Sequence, residues 1–419
     1  MLTGLLVIFR MELVYVLGVF PSVSEYFILQ EILELQRKGV KIHICSIGHP
    51  EVIVKDLPSA HSLLPVTIYR SESGISCIFG HIRVSLVSPL NYVRSLIACF
   101  SGIFTDIVSV SKQLKYFNTA IFFVNKLQKE KYQHIHAHFA SMPADVAMQM
   151  AKLTGKAFSV SAHAQDIYVP DNLLVKKINS ALFVLTCTQS NQFYLTNISG
   201  RKDVIHIYHG IDLNLWPFTP ERLPQKKNTL KILSIARLVE KKGLIYLLEA
   251  LTILKATYTI DCMIVGEGGQ RDVLEQFIRE NSLEGMVHLS GALTQDKLQA
   301  LYREFDFFVL PCLVTANGDR DGLPNVLLEA MAAGIPTITT GISAIPELLN
   351  DRVNGLIVEE KNALSIVDAI RLLYADSAFR KNIVIEARKT VEAFFSIEQS
   401  TNKLISVFQQ ALKMDDGTH

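Results

Sequence analysis

The sequence predicts an α/β protein built from two doubly wound parallel sheets, and three observations support this. Short apolar strands alternate with helical segments along most of the chain. These strands are apolar throughout rather than alternately apolar and polar, as is typical of parallel sheets covered on both faces. Near the middle of the chain, a stretch rich in proline and polar residues separates two such series.

The first half opens with a strand, a polar loop, a helix and a second strand, the unit of a parallel sheet. The strand, helix and second strand are predicted at residues 13–18, 26–38 and 40–47. Ligands of such sheets lie outside the carboxyl ends of the strands, so Ser24 and Glu25 of the loop are candidate ligand-facing residues. An alternative is that Ser22 or Ser24 caps the helix.

Residues 78–113 form an apolar and aromatic stretch whose uninterrupted runs are too short to span a bilayer. A pair of core helices is the first interpretation. The alternative is a surface that contacts a membrane or a lipid-linked substrate.

The alternation of strands and helices then resumes, with strands at 134–139, 157–161, 182–187 and 204–208 and a helix at 142–154. His134, His136 and His138 share one face of their strand. That geometry would permit a metal site, but no further ligands stand out, so a polar cluster at the strand end is preferred. His163 follows a buried strand, three residues before Asp166, where a group that exchanges protons would face a ligand.

The chain is expected to divide at residues 216–229, which form the best linker in the sequence. A second series follows, with strands at 231–236, 261–265, 287–290, 307–311, 335–340 and 355–358 and helices at 243–255, 271–281 and 295–304. We therefore predict an extension of little structural value at 1–10, a first domain at 11–215, the hinge linker at 216–229, a second domain at 230–392 and a C-terminal helix at 393–419 that crosses back to the first domain. A cleft is expected between the two domains.

The most informative stretch runs from Asp321 to Gly334 and predicts a loop that leads into a buried helix. Pro324 suits the first helical position, and Gly334 suits the end. The helix is almost entirely apolar except for Glu329, and a carboxylate removed from water needs good partners. Since a helix rises about 1.5 Å per residue, Glu329 lies roughly 8 Å beyond the helix start.

The start of that helix would suit a phosphate, because its free N–H groups and dipole attract anions. A ligand with a central diphosphate could place one hydroxyl-rich end near Asp321 and another near Glu329, which is the layout of a nucleotide sugar. The simpler interpretation is that Glu329 forms a salt bridge in the core and that Asp321 is a solvated loop acid.

Two cations, Arg237 and Lys242, lie where the first strand of the second half leads into a helix, and they could clamp a diphosphate. A solvated Lys/Glu run is the alternative, and it describes Glu240 and Lys241 better than Lys242. Residues 265–269, Val-Gly-Glu-Gly-Gly, resemble a dinucleotide-binding loop that lacks its final glycine, which is a weak signal.

Composition narrows the functional classes. The net charge of +1 implies neither nucleic acid nor a strongly acidic partner. Six scattered cysteines without a CxxC pair favour reduced thiols in a cytoplasmic protein over disulfides or a zinc site. Neither a membrane-spanning helix nor a convincing signal peptide is predicted.

Taken together, these motifs resemble glycosyltransferase family 4, whose members have the two-domain GT-B fold. The resemblance covers nearly the whole chain after about residue 12, and residues 20–25, Phe-Pro-Ser-Val-Ser-Glu, resemble the bacterial exopolysaccharide, colanic-acid branch. Its most specific parts are Ala236-Arg237 with Lys242-Gly243, Val265 to Gly268, and Asp321 to Ala332.

The resemblance implies a role for each matching residue. Glu329 would hold the ribose hydroxyls, Asp321 would contact the transferred sugar, and Arg237 and Lys242 would bind the diphosphate. His163 would contact the donor sugar near its anomeric carbon. The donor site would also include Gly266, Glu267, Gly322, Leu323, Pro324 and Asn325, and the acceptor side would include Ser24, Glu25 and Asp166. The family usually has glutamate where Asp321 stands, so the identity of the donor sugar does not carry over.

The implied reaction retains the anomeric configuration and needs neither a metal ion nor another cofactor. The donor is a nucleotide-diphosphate sugar and the acceptor a glycan or lipid-linked sugar, with a peripheral contact at the cytoplasmic face of the inner membrane. Two rival hypotheses remain. One is a nicotinamide-dependent oxidoreductase, which two such sheets would permit, and the other is a non-catalytic subunit that binds a sugar nucleotide or a glycan.

Overall fold

The computed structural model describes residues 11–22, 25–50, 58–70, 74–100, 107–168, 173–218 and 229–416. Three predictions fall outside these residues: Ser24 as a ligand-facing residue, the extension at 1–10, and the part of the linker at 219–228. The described chain divides into two compact units. The first contains the chain up to Cys187, Gln192–Ile207 and the chain from Thr401 onward, and the second contains Thr188–Asn191 and Tyr208–Ser400.

The described part of the first unit contains a seven-stranded parallel sheet in the order β3-β2-β1-β4-β5-β6-β7. Its strands are β1 (Glu12–Val19), β2 (Lys41–Gly48), β3 (Ile68–Tyr69), β4 (His134–His138), β5 (Phe158–Ala162), β6 (Val184–Thr186) and β7 (Val204–His206). Its helices are α1 (Tyr26–Arg37), α2 (Gly74–Val87), α3 (Pro89–Cys99), α4 (Ile107–Leu127), α5 (Met142–Thr154), α6 (Gln165–Tyr168) and α7 (Leu174–Ser180). Helices α8 (Gln189–Ser199) and α15 (Ile397–Asp416) contribute residues to both units.

Successive residues of the central strands enter different cores, so both faces of this sheet are covered. Val14 and Val16 of β1 belong to one apolar cluster, while Leu13 and Tyr15 belong to another. The second cluster also contains Phe408 of α15. Strands that are apolar on both faces follow from this double covering.

The described part of the second unit contains a six-stranded parallel sheet in the order β10-β9-β8-β11-β12-β13. Its strands are β8 (Thr229–Ile235), β9 (Thr259–Val265), β10 (Val287–Gly291), β11 (Phe307–Leu310), β12 (Thr337–Thr340) and β13 (Leu356–Val358). Its helices are α9 (Leu244–Leu254), α10 (Arg271–Glu280), α11 (Gln295–Glu304), α12 (Asn325–Ala333), α13 (Ala363–Ala375) and α14 (Ser377–Phe394). The predicted pair of doubly wound parallel sheets is therefore confirmed.

Each sheet reverses its strand order once. In the first unit the reversal lies between β1 and β4, and in the second between β8 and β11. Ligands of doubly wound sheets bind outside the carboxyl ends of the strands at such a switch point. The topology thus directs attention to the loops that follow these four strands.

Three local predictions were wrong. Helix α12 begins at Asn325 with Pro324 as its N-cap, because Pro324 has an extended ψ of 121°. Helix α1 is preceded by Glu25, and no side chain caps it, so Ser22 is not the predicted cap. Residues 78–113 contribute to three helices rather than a core pair, and many apolar side chains of α2 and α3 are exposed. Among the described residues, none of the helices combines the length and the hydropathy needed to cross a bilayer.

Candidate functional site

Two strand-end loops meet at the switch point of the second unit. One follows β8 and contains Arg237 and Lys242, and the other follows β11 and contains Asp321. Because β8 and β11 are adjacent and parallel, both loops leave the same edge of the sheet. Residues that are distant in the sequence are thereby brought together.

Lys242 and Asp321 form an ion pair, in which Lys242 Nζ donates a hydrogen bond to Asp321 Oδ2. Lys241 Nζ lies 3.5 Å from Asp321 Oδ1 and 2.9 Å from Asp319 Oδ1. The side chains of Lys241 and Lys242 are only 4% and 10% exposed. The interpretation of Lys241 as part of a solvated run is therefore wrong, and the alternative that Asp321 is a solvated loop acid is excluded.

Gly243 explains why the lysines reach Asp321. It has a φ of +62°, and a Cβ at this position would lie 2.0 Å from the carbonyl oxygen of Pro311. Just beyond that contact, the N–H of Leu313 donates to the carbonyl of Lys241 at 2.9 Å. Glycine lets the loop after β8 pack directly on the chain that follows β11, and this packing sets the position of the ion pair.

The charges of this cluster support one another. Burial alone would raise the pKa of Asp321, but the positive charges of Lys242, Lys241 and Arg237 outweigh it, and the pKa is lowered. Burial would lower the pKa of Lys242, but the attraction of Asp321 outweighs that effect, and the pKa is raised. Both groups are therefore charged at neutral pH, whereas Arg237 adds an exposed positive charge beside them.

The start of α12 follows the same loop. Gly322, Leu323 and Pro324 connect Asp321 to Asn325, and no side chain caps the helix. The first N–H groups of a helix and its dipole suit an anion. The loop cations and the helix start therefore create a positive environment around Asp321.

Glu329 lies further along α12, 8% exposed, and accepts hydrogen bonds from two neutral groups. Gln295 Nε2 donates at 3.0 Å to one carboxylate oxygen, and the Tyr302 hydroxyl donates at 3.0 Å to the other. Burial raises the pKa of Glu329 to about 7, although both hydrogen bonds oppose the shift. These partners differ from the core salt bridge that was the simpler interpretation of Glu329.

Gly266 and Glu267 lie in the loop after β9, which packs on the loop after β8. Gly266 has a φ of +143°, and a Cβ there would lie 1.9 Å from the carbonyl oxygen of Ala236. The carbonyl of Glu267 accepts the N–H of Leu238 at 2.9 Å, while its exposed side chain accepts a 2.7 Å hydrogen bond from Arg271. These contacts support the loop that carries Arg237.

In the first unit, His163 lies in the loop after β5. The carboxylate of Asp166 accepts the N–H of His163 at 3.0 Å and that of Ala140 at 2.6 Å. Burial raises the pKa of Asp166, while these backbone hydrogen bonds oppose the shift. The ring of Phe139 packs 4.4 Å from the ring of His163. Asp166 therefore braces the loop that positions His163.

A chain of side chains connects His163 to the interior of the first unit. His163 Nε2 lies 3.4 Å from His138 Nδ1, and His138 Nε2 lies 3.1 Å from Glu31 Oε1. The same oxygen of Glu31 accepts the Tyr15 hydroxyl at 2.9 Å. If His138 donates to the carboxylate through Nε2, its Nδ1 is the acceptor for His163 Nε2–H. Glu31 lies within α1, and nothing in its sequence context predicted this contact.

The other two histidines of β4 serve a polar cluster along the strand. His134 Nε2 and His136 Nδ1 both lie 2.7 Å from the hydroxyl of Ser159, and His136 Nε2 lies 2.9 Å from that of Ser161. Burial lowers the pKa of His134 to about 3 and that of His136 well below its usual range. The cluster extends along the strand rather than lying only at its end.

Residues 216–390 match the family model described as glycosyl transferases group 1. This segment is a group 1 glycosyl transferase domain. The amylovoran biosynthesis glycosyltransferase AmsK of Erwinia amylovora is 35% identical over 182 residues, 43% of this chain and 45% of AmsK. The putative colanic acid biosynthesis glycosyltransferase WcaL of Escherichia coli K12 is 33% identical over 202 residues, 48% of this chain and 49% of WcaL. In these alignments the chain spans about half the length of the curated relatives.

The likeness to solved structures extends further. The crystal structure of Anabaena HepE with UDP-glucose matches this chain with a TM-score of 0.70 at 16% identity. The match covers 96% of this chain and 100% of the HepE chain. At that identity the likeness shows the fold. The predicted GT-B class, with two Rossmann-like parallel-sheet domains, is confirmed.

The group 1 domain contains the charged cluster of Arg237, Lys242 and Asp321 as well as Glu329. His163, Glu25 and Asp166 lie outside the matched segment. Within the domain, four residues that hold the predicted acids or their lysine partner were not predicted: Lys241, Asp319, Gln295 and Tyr302. The position of Asp319, two residues before Asp321, was a weak indication that it belongs to the same charged cluster. The partners of Glu329 could not be predicted in this way, because they depend on how α11 packs against α12.

Proposed function

We propose that the protein is a retaining glycosyltransferase of family 4 that transfers a sugar from a nucleotide-diphosphate sugar to a glycan or lipid-linked acceptor. The observation that carries this proposal is the Lys242–Asp321 ion pair, beside Arg237 and the start of α12, at the switch point of a group 1 glycosyl transferase domain. A positive site next to a fixed carboxylate suits a ligand that joins a diphosphate to a polyhydroxy group.

Arg237 and Lys242 would bind the diphosphate. The cluster contains Arg237, Lys241 and Lys242 against Asp319 and Asp321, so the positive charges outnumber the negative ones. Arg237 is the exposed member and would meet the incoming phosphates first, with two parallel hydrogen bonds. The backbone N–H groups from Gly322 to Asn325 would complete the phosphate site.

The two acids would bind the two hydroxyl-rich ends of the donor. Lys242 and Lys241 hold Asp321 as a carboxylate, ready to accept hydroxyl groups of the transferred sugar. Glu329 would accept the ribose hydroxyls. Because hydroxyl donors favour the ionised form, donor binding should lower the pKa of Glu329 from its raised value of about 7.

Catalysis would depend mainly on the leaving group. The bond between the anomeric carbon and the phosphate oxygen breaks, and negative charge develops on the nucleoside diphosphate. Arg237, Lys242 and the start of α12 would stabilise that charge in the transition state. The acceptor oxygen forms the new bond on the face that the nucleotide leaves, and its proton passes to the departing phosphate. In this scheme the two cations do the work of a metal ion.

The remaining assignments follow the resemblance. The second domain, 230–392, would bind the donor and the first, 11–215, the acceptor, with 216–229 as a hinge. Ser24, Glu25 and Asp166 are proposed for the acceptor side, Gly266 and Glu267 for the donor side, and His163 for contact with the sugar near its anomeric carbon. The names of AmsK and WcaL favour bacterial exopolysaccharide biosynthesis, and the UDP-glucose bound to HepE makes UDP-sugars the first donors to test. A location at the cytoplasmic face of the membrane is part of this proposal.

The decisive experiment uses Arg237→Ala, because Arg237 is exposed and its loss should leave the fold intact. We expect a thermal-shift screen of nucleotide sugars to identify a donor that raises the apparent stability of the wild type. Arg237→Ala should lose that shift and reduce turnover by about 10²-fold or more. Arg279→Ala removes an exposed arginine from α10 and should behave as wild type.

Two results would contradict the proposal. One is stabilisation by NAD but by no nucleotide sugar, which would favour an oxidoreductase. The other is donor binding without transfer or hydrolysis, which would favour a non-catalytic binding subunit. Addition of a chelator should leave turnover unchanged if no metal takes part.

A further inference from the structure

Helices α2 and α3 of the first unit present apolar side chains to solvent. Six large ones are between 62% and 76% exposed: Ile78, Phe79, Leu86, Val87, Leu90 and Ile97. They recur at helical spacing, and together they define what we call the apolar face. A continuous apolar face of this kind marks an interaction site rather than ordinary surface variation.

The opposite side of these helices shows why the apolar face points outward. Gly80 packs so closely on α4 that a Cβ there would lie 3.2 Å from Ile121 Cγ2. Ser95 of α3 is fully buried. The ring nitrogens of His81 lie 2.9 Å from the Tyr92 hydroxyl and 3.1 Å from Asn118 Oδ1. The protein-facing side of these helices thus includes small and polar residues beside the buried Val84, whereas the six large apolar side chains face solvent, unlike those of an ordinary surface helix.

The charged residues of α2, α3 and α4 are all basic. The described residues 74–100 and 107–127 contain no Asp or Glu, although the whole chain has nearly as many acidic as basic residues. Arg83 and Arg94 are exposed on α2 and α3, and Lys112 and Lys115 are exposed on α4. Cations that flank an exposed apolar face are the combination that binds anionic lipid.

We propose that the apolar face, with Arg83 and Arg94, docks the protein on an anionic lipid bilayer. The apolar side chains enter the boundary between head groups and acyl chains, and the arginines contact lipid phosphates. A second copy of the chain is a poorer occupant, because a symmetric interface built from this region would bring cations together without acidic partners. A bilayer supplies both the apolar interior and the negative charge.

This inference deepens the proposed function, since it states where the protein would meet a membrane that holds a lipid-linked acceptor. It can fail independently, because vesicle binding is measured without donor, acceptor or turnover. If the wild-type protein transfers sugar but does not bind anionic vesicles, only the docking surface is overturned. If the protein binds vesicles but transfers no sugar, only the proposed function is contradicted.

The experiment is co-sedimentation of the full chain with vesicles of phosphatidylcholine, with and without phosphatidylglycerol. We expect binding to the anionic vesicles that weakens as salt increases. The triple variant Phe79→Gln/Leu86→Gln/Leu90→Gln should bind at least about tenfold more weakly, because three buried apolar contacts are lost. The double variant Arg83→Gln/Arg94→Gln should also bind anionic vesicles at least about tenfold more weakly, because each charge near the surface contributes roughly fivefold to the affinity.

A matched control removes apolar side chains of comparable exposure elsewhere. Phe193, Leu364 and Val273 are 71%, 61% and 49% exposed and lie outside α2 and α3. Their triple replacement by Gln should leave vesicle binding unchanged. Equal weakening by the control, or no binding of wild type to anionic vesicles, would overturn the proposal. If the Phe79 triple variant instead converts a dimer to a monomer in sedimentation, the occupant is a second copy.

Discussion

Polar side chains lie near the switch point of each unit, but they are charged in the second unit and neutral in the first. In the second unit, Lys242 and Asp321 are fully charged and paired. In the first unit, His134 and His136 of the strand next to the switch point are neutral, since burial lowers their pKa values far below neutrality. Burial penalises a charge unless an opposite charge accompanies it. The second unit therefore has a charged cluster near its switch point, whereas the first has neutral side chains joined by hydrogen bonds.

Asp321, in the loop before α12, and Glu329, within α12, also differ in whether their partners are charged or neutral. Lysines hold the pKa of Asp321 below its usual value, whereas neutral partners leave the pKa of Glu329 at about 7. Two carboxylates eight residues apart thus differ in charge near neutral pH. At neutral pH Asp321 is ionised, whereas Glu329 is only partly ionised, and a bound group that donates hydrogen bonds to its carboxylate would favour the ionised form.

The largest expected effect comes from Lys242→Met, which removes the charged partner of Asp321. Turnover should fall by about 10³-fold, because one cation of the phosphate site is lost. Stability should also fall by about 3 kcal/mol, because Asp321 loses its nearest cation and keeps the more distant Lys241. Steady-state kinetics and urea unfolding measure the two effects.

A double variant separates catalysis from folding in this experiment. Lys242→Met/Asp321→Asn removes the unpaired carboxylate, so it should recover most of the stability while remaining inactive. Near-wild-type turnover in Lys242→Met, with Asp321 intact, would contradict the role of Lys242 at the phosphate site.

Glu329→Gln should have the next largest effect and an unusual pH dependence. Donor binding should weaken by about tenfold to a hundredfold, because Gln loses charged hydrogen bonds to the ribose. In the wild type, affinity for a nucleotide sugar should increase as pH rises through about 7, while Glu329 loses its proton. In the variant this pH dependence should disappear. Calorimetry in two buffers of different ionisation enthalpy measures both the affinity and the released proton.

The same variant should gain stability in the absence of ligand. The folded-state pKa of Glu329, about 7, exceeds its ordinary value of 4.5, so folding favours the protonated form. Its contribution to stability is therefore complete below pH 4.5 and is lost as pH rises through about 7. Gln cannot ionise, so thermal unfolding of unliganded Glu329→Gln at pH 8 should occur a few degrees above wild type. An equal or lower unfolding temperature would show that Glu329 is not strained by burial.

The sequence predicted best where one local signal was enough. The apolar run of α12, ended by Gly334, identified a buried helix and its unusual acid, and the alternation of elements identified both sheets. The pairing of Lys242 with Asp321 required the strand order, because only the adjacency of β8 and β11 brings their loops together.

The sequence did not predict features that depend on the direction in which a side chain points. Nothing in Glu240-Lys241-Lys242 shows which lysine points inward, and both do. Similarly, the composition of α2 and α3 suggested a core, but Gly80 and Ser95 face inward and the apolar face does not. Gln295 and Tyr302 reach Glu329 from another helix, so their role depends on tertiary packing that a linear pattern does not contain.

The smallest effect is expected in the first unit, where two histidines of one strand provide a matched pair. His138→Phe breaks the chain from His163 to Glu31, whereas His134→Phe breaks a hydrogen bond to Ser159 on the same face of β4. Each should change stability by about 1 kcal/mol. If His163 contacts the sugar as proposed, only His138→Phe should lower kcat, by about tenfold, with little change in the donor KM.

The readout that separates positioning from stability is the tautomer of His163. In the wild type, its Nε2–H should donate to His138 Nδ1, and nitrogen-15 chemical shifts report which ring nitrogen carries the proton. His138→Phe should change the His163 signal and His134→Phe should not. Equal losses of kcat in both variants, with an unchanged His163 signal, would mean that β4 supports only the fold and that His138 does not position His163.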